Sequence, residues 1–155
     1  MKATQRFAFA IAAALCASSG IAQTSSSSSL RVVATDDAPK AAGPYSQAIV
    51  SGGFLYAAGQ IPRDPKTGKQ VSDSFEQAVN RVLDNLEAVL KAEGLDWTDV
   101  VKTTVYLTRA EDFAPMNTLY AQRMGVGKPA RTTVIVAGIP GGAPLEMDLV
   151  ARVRK

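Results

Sequence analysis

The sequence predicts an α+β domain in which two helices lie on one face of a single mixed sheet. Three observations lead there. Apolar residues recur at spacings of three and four across residues 74–93, the signature of one long amphipathic helix. The last stretch, 129–155, sets two apolar, β-branched runs either side of a Pro/Gly turn. Between and before these, shorter runs give the order strand, strand, strand, helix, strand, helix, strand, strand, which packs most simply as two layers.

The domain is preceded by a segment of a different kind. In residues 1–22, Lys2 and Arg6 stand before the apolar run 7–17, and Gly20-Ile21-Ala22 offers small residues before Gln23, so the stretch reads as a secretory signal peptide. A membrane span needs about 20 apolar residues, more than this run supplies. Leu15 is larger than the residue that usually precedes a lipidated cysteine, which argues against modification of Cys16. Residues 23–33 form a serine-rich linker and the start of the first strand, and 34–155 the folded domain.

Removing the leader changes the chemistry available. The chain has 155 residues, one cysteine and no histidine. Cys16 leaves with the leader, so neither a disulfide nor a thiol nucleophile remains, and the Ser-His-Asp and Cys-His devices are excluded outright. Loss of Lys2 and Arg6 leaves 15 basic against 14 acidic side chains, a net charge of +1. No basic run with interleaved aromatics points to nucleic acid. Any catalysis falls to carboxylate, hydroxyl, Arg, Lys, backbone groups or water.

Within the domain, residues 30–35 read as a short strand ended by Asp36-Asp37-Ala38-Pro39. Gly43-Pro44-Tyr45-Ser46-Gln47 is a turn whose tyrosine, on local grounds, is a packing residue. Residues 48–51 and 54–59 flank Gly52-Gly53 as a β-hairpin, the glycines supplying positive φ. Gly59-Gln60-Ile61-Pro62 closes its second strand, and 64–68 is a further turn. In the first helix Phe75, Ala78, Val79, Val82, Leu83, Leu86, Val89 and Leu90 form the stripe; Asp73 or Ser74 caps it and Gly94 ends it. Residues 100–107 read as a long strand and 111–124 as a second helix with Pro115 in its first turn. Asn117, one turn further in, is by position only a polar surface residue.

The terminal pair carries the charges of interest. Leu145, Met147, Leu149, Ala151 and Val153 alternate with Glu146, Asp148, Val150, Arg152 and Arg154, so one face is core. A simple hairpin of 131–137 with 145–153 about residues 140 and 141 puts Arg131 opposite Val150. Glu146 then shares its face about 13 Å away. The two are too far apart for an ion pair, but a ligand or a second chain could join them. On the charges alone, unrelated surface residues explain the pattern equally well.

Taken together, Gly43-Pro44-Tyr45-Ser46-Gln47, Ala58-Gly59-Gln60-Ile61-Pro62, Val101-Lys102-Thr103-Thr104-Val105, Met116-Asn117-Thr118-Leu119-Tyr120 and Pro129-Ala130-Arg131 followed by Leu145-Glu146-Met147 resemble the RidA (YjgF-like) family of 2-iminobutanoate/2-iminopropanoate (enamine/imine) deaminases. The likeness runs from about Ala34 to Arg154. It implies a chorismate-mutase-like subunit, a homotrimer with sites between subunits, and cofactor-free, metal-free hydrolysis of 2-imino or 2-enamino acids to 2-keto acids and ammonia. By position, Arg131 is then the carboxylate-binding arginine, Glu146 the acid that handles water, Tyr45 and Gly59 substrate contacts, and Asn117 a neighbour of the site. Two positions depart from the family pattern: Ala58 stands where serine is frequent, and Thr133 where cysteine is frequent, its hydroxyl still able to bond ligand or water. The chemistry suits the residues, because a planar guanidinium holds a carboxylate by two parallel hydrogen bonds and a carboxyl group delivers water to the imine carbon. The expectation is an exported, periplasmic or secreted deaminase without nucleic-acid or membrane partners once cleaved. The alternatives are an exported non-catalytic, small-carboxylate-binding or holdase-type trimer, and, more remotely, RNA cleavage.

Overall fold

A computed structural model describes residues 30–71 and 73–154; the leader and residues 23–29 of the linker lie outside them. Strands β1 (Arg31–Val33), β2 (Ala48–Ser51), β3 (Phe54–Gln60), β4 (Val100–Leu107), β5 (Ala130–Ile135) and β6 (Leu145–Arg152) form one sheet in the order β1-β2-β3-β6-β4-β5. Helices α1 (Phe75–Lys91) and α2 (Phe113–Met124) join the strands around them. Every neighbouring pair is antiparallel except β4 with β5. The predicted α+β class, a mixed sheet with two helices on one face, is the observed one.

Local chemistry explains the elements. Gly52 and Gly53 have φ of 59° and 84°, as a two-residue hairpin turn requires. Ser74, rather than Asp73, caps α1, its Oγ accepting from the Gln77 N–H at 3.1 Å. At the other end Gly94 adopts φ 67°, with Gly94 N–H to Lys91 O and Leu95 N–H to Leu90 O completing a Schellman closure. The stripe of α1 packs on Leu55, Val105, Leu145, Met147 and Leu149, all at most 1% exposed. Each buried Val or Leu of the stripe contributes about 1.5–3 kcal/mol. Leu86→Ala is expected to cost about 2–5 kcal/mol of unfolding free energy in a denaturant titration.

The terminal hairpin does not form. β4 lies between β5 and β6, pairing parallel with the first and antiparallel with the second. A parallel pair needs a long crossover, and α2 is that crossover; β6 then fills the centre of the sheet, where its alternating core face is covered. Arg131 is level with Thr103 and Leu149, not Val150. Register-matched residues share a face, so Arg131 points to the helices, whereas Glu146, level with Tyr106 and Val134, points to the opposite, helix-free face.

One ion-pair cluster fastens the chain's end. Arg154 donates from Nε to Asp99 Oδ1 at 2.9 Å and from Nη2 to Asp96 Oδ2 at 2.6 Å. Hydrogen bonds from Thr98 and then Arg154 lower Asp96 to about 2, and the Arg154 bond lowers Asp99 as well. Groups depressed on folding stabilise above their unfolded pKa and lose that contribution as pH falls, here from about 4 towards about 2. Arg154→Ala is expected to lower Tm at neutral pH and to flatten the acid fall of Tm in that window, read by thermal melts across pH.

Candidate functional site

Sequence and sheet geometry build two separate clusters. The first begins at a β-bulge. Between β3 and β6 the register advances from Ala57 opposite Leu149 to Gln60 opposite Met147, three residues on one strand against two on the other. Ala58-Gly59 thus carries one residue more than its partner, and the strand bends there. A Cβ built on Gly59 would lie 1.9 Å from Glu146 Oε1 and 2.7 Å from its Cδ. The Glu146 carboxyl therefore rests against the bare Cα of Gly59, in a position no other residue type at 59 permits.

This carboxyl faces a cavity of about 560 Å³ lined by Tyr45, Gln47, Ala58, Gly59, Arg63 and Pro140 among others. The segment 35–39, whose Pro39 lines the cavity, is tied in place by Gln47, itself 6% exposed. Its Oε1 accepts from the Thr35 N–H at 2.7 Å, and its Nε2 reaches the carbonyls of Thr35, Ala38 and Pro39 at 3.0, 3.1 and 2.8 Å. Tyr45 lines the cavity with its hydroxyl accepting from the Ala42 N–H. Burial, and secondarily the charge of Asp148 two residues along the same face, push the Glu146 carboxyl above its ordinary pKa. Asp148 in turn accepts from the Tyr106 hydroxyl at 3.3 Å.

The second cluster surrounds Arg131 on the helix side of edge strand β5. Its Nη2 donates to Asn117 Oδ1 at 2.7 Å, and its guanidinium lies 4.6 Å from the Tyr120 ring centre and 5.9 Å from that of Phe113. Tyr120 is fixed by a 2.9 Å hydrogen bond between its hydroxyl and Thr103 Oγ1. Asn117, Tyr120 and Phe113 sit on successive turns of one side of α2, which explains why a polar residue occupies that helix face. The stacking and the single amide bond orient the guanidinium while leaving donors free for an oxyanion. Thr133, on the same strand face as Arg131, has a buried Oγ1 without a hydrogen-bond partner among the described residues. An unpaired buried hydroxyl costs stability unless ligand or water completes it.

The structure thus brings Tyr45, Gly59 and Glu146 together, and separately Arg131 with Asn117 on a strand face shared with Thr133, but not the two groups with each other. In one subunit they lie on opposite faces of the sheet, with β4 between their strands, about 10 Å apart across the sheet and about 10 Å along it. The sequence missed the aromatic support of Arg131, because nothing in an isolated helical segment tells an aromatic that stacks on a distant arginine from one that fills the core. It also passed over Gln47 as a clamp and Asp148 as a neighbour of Glu146; the i, i+2 spacing of the two carboxylates was the available signal.

Comparison with known proteins supplies the context for these clusters. The sequence profile of the family described as endoribonuclease L-PSP matches residues 35–153. A RutC family protein of Pyrococcus horikoshii is 48% identical over 120 residues, 77% of this chain and 95% of the relative. The human 2-iminobutanoate/2-iminopropanoate deaminase is 42% identical over 121 residues, 78% of this chain and 88% of the relative. Among solved structures, RidA from an Antarctic Psychrobacter superposes with a TM-score of 0.77 at 35% identity, over 79% of this chain and 99% of its own.

Proposed function

The chain belongs to the endoribonuclease L-PSP (RidA/YjgF) family, and on that footing we propose that it hydrolyses reactive 2-imino and 2-enamino acids to 2-keto acids and ammonia. The observation that carries the reading is the Glu146 carboxyl, partly desolvated and seated on Gly59 inside a cavity. Its raised pKa suits a group that must take a proton from water and return one to nitrogen at neutral pH.

In the proposed reaction the carboxylate of the substrate is held by Arg131, and Glu146 removes a proton as the water oxygen attacks the C=N carbon. The C=N π electrons pass to nitrogen, which is protonated. Collapse of the resulting carbinolamine expels ammonia and leaves the C=O of the 2-keto acid. Imines are electrophilic already, so the required acceleration is modest and positioning supplies much of it. Thr133 Oγ1 offers a hydrogen bond to ligand or water.

Because Arg131 and Glu146 lie on opposite faces of one sheet, the reading requires that they meet across a subunit boundary, in a homotrimer with three equivalent clefts. The proposal extends to location: residues 1–22 direct export, and mass spectrometry of the mature protein from the cell envelope or medium should give an N-terminus at Gln23, free or cyclised to pyroglutamate. Recovery of only uncut protein from the cytosol would oppose it.

The direct test couples the mature protein to an amino-acid oxidase and follows keto-acid release. A rate no greater than the spontaneous one would remove the deaminase reading. A non-catalytic carboxylate-binding trimer is the second reading, favoured by Ala58, which brings no hydroxyl to the cavity wall; saturable 2-keto acid binding without turnover would select it. RNA cleavage is the least supported, since the chain has no histidine.

Gly59→Ala tests the seat of the carboxyl without touching it. The added methyl must displace Glu146 by more than an ångström, and a misplacement of that order costs about 10²-fold. The expected result is a fall of that size in kcat with little change in Tm.

A further inference from the structure

We infer that Arg63, assisted by Lys40, forms a second anion-binding point in the Glu146 cavity, and that the 2-imino acids this site takes carry a second, distal acidic group. The inference rests on the deaminase reading for its chemistry and on the cavity alone for its geometry. The charged residues lining the cavity are Lys40, Arg63 and Glu146, two cations against one carboxyl.

The backbone of Arg63 is held at several points. Its carbonyl accepts from the Nδ2 of Asn85, a residue of α1 that is 0% exposed, at 2.9 Å, and the same amide bonds Ile61 O at 3.2 Å. Its own N–H closes a tight turn on Ile61 O at 2.7 Å, and its backbone bridges to Gln70. The side chain is guided by one bond, Nη1 to Gly68 O at 2.9 Å. Nη2 lies 4.0 Å from the place a Cβ on Gly141, another lining residue, would occupy. Among the described residues no carboxylate pairs with it. Lys40 has only a 3.7 Å contact with Asp36 in which both side chains are largely exposed, an interaction easily exchanged for a ligand.

A guanidinium that lines a concave space and has no carboxylate partner among the described residues is suited to receive a carboxylate. With the 1-carboxylate of the substrate on Arg131 and its C=N carbon at Glu146, a longer side chain ending in a carboxylate has Arg63 and Lys40 on the lining of the same cavity to receive it. The imines formed by oxidation of acidic amino acids have this shape.

The test uses the mature protein, with 2-oxoglutarate and 2-oxobutanoate as probes in calorimetric titrations and imines generated by oxidases from glutamate and alanine as substrates. The dicarboxylate is expected to bind about tenfold or more tightly than the monocarboxylate, as a charge-assisted pair would give. Arg63→Gln, which keeps a donor for Gly68 O, should abolish that preference and leave 2-oxobutanoate within about twofold. Lys40→Gln should reduce the preference by a smaller factor, and added salt should weaken 2-oxoglutarate selectively in the unaltered protein. Equal binding of the two probes, a preference for the monocarboxylate, or a preference unchanged in Arg63→Gln would overturn the inference. Hydrolysis of the alanine imine without any dicarboxylate preference would leave the deaminase reading standing while this one fails. Preference without hydrolysis of either imine would keep the second anion-binding point and overturn the deaminase reading together with the imino-acid substrate inferred from it.

Discussion

Glu146→Gln is expected to lower kcat for imine hydrolysis by roughly 10²–10⁴ while KM moves only a few-fold. The amide has nearly the shape of the acid and still fits against Gly59, so the cavity and the binding of keto acid should persist. What is lost is the ability to take a proton from water and return one to nitrogen. The split between kcat and KM is the informative readout, because a change that merely disturbed packing would lower Tm and raise KM together. Retention of most of the activity would transfer the proton chemistry elsewhere. Asp148 provides a control on the same face. Its charge adds to burial in raising the Glu146 pKa, so Asp148→Asn should move the limb of the pH–rate profile that reports Glu146 to lower pH.

The fold was legible wherever local chemistry decides. The period of α1, the Gly52-Gly53 turn and the alternation of β6 each depend on a few neighbouring residues, and each is observed as read; of the two caps offered for α1, Asp73 and Ser74, the second serves. Strand order was not legible, because pairing is a long-range choice. The segment around Pro140-Gly141-Gly142 has the composition of a hairpin turn, yet it carries the chain from edge strand β5 past β4 to the centre of the sheet. That error reversed the face assigned to Arg131. A register difference of one residue, Leu149 in place of Val150, is enough to do so, since side chains alternate with a period of two. Arg63 was passed over for a related reason: it lies in a turn whose meaning depends on a buried asparagine from a distant helix.

The face reversal makes the strongest use of Arg131. Arg131→Ala removes the proposed carboxylate anchor and should lower kcat/KM by roughly 10²-fold or more, with Arg131→Lys recovering only part because an ammonium lacks the bidentate fork. Alone, that loss would not say where the anchor acts. A site within one subunit would require the side chain of Arg131, stacked on Tyr120 and bonded to Asn117 among the helices, to cross the sheet to Glu146. A site between subunits requires only that the Arg131 cluster of one protomer meet the Glu146 cavity of the next. The two arrangements differ in a mixing experiment. Arg131→Ala and Glu146→Gln proteins, each inactive, are unfolded together in equal amounts and refolded. In a ring of three, each cleft draws its arginine from one neighbour and its glutamate from the other, so random assembly restores both groups in about a quarter of the clefts. Activity near a quarter of the unaltered protein is therefore expected from the mixture, against none from either variant refolded alone. A mixture as inactive as its components would place both residues in one protomer's site, against the geometry of the sheet.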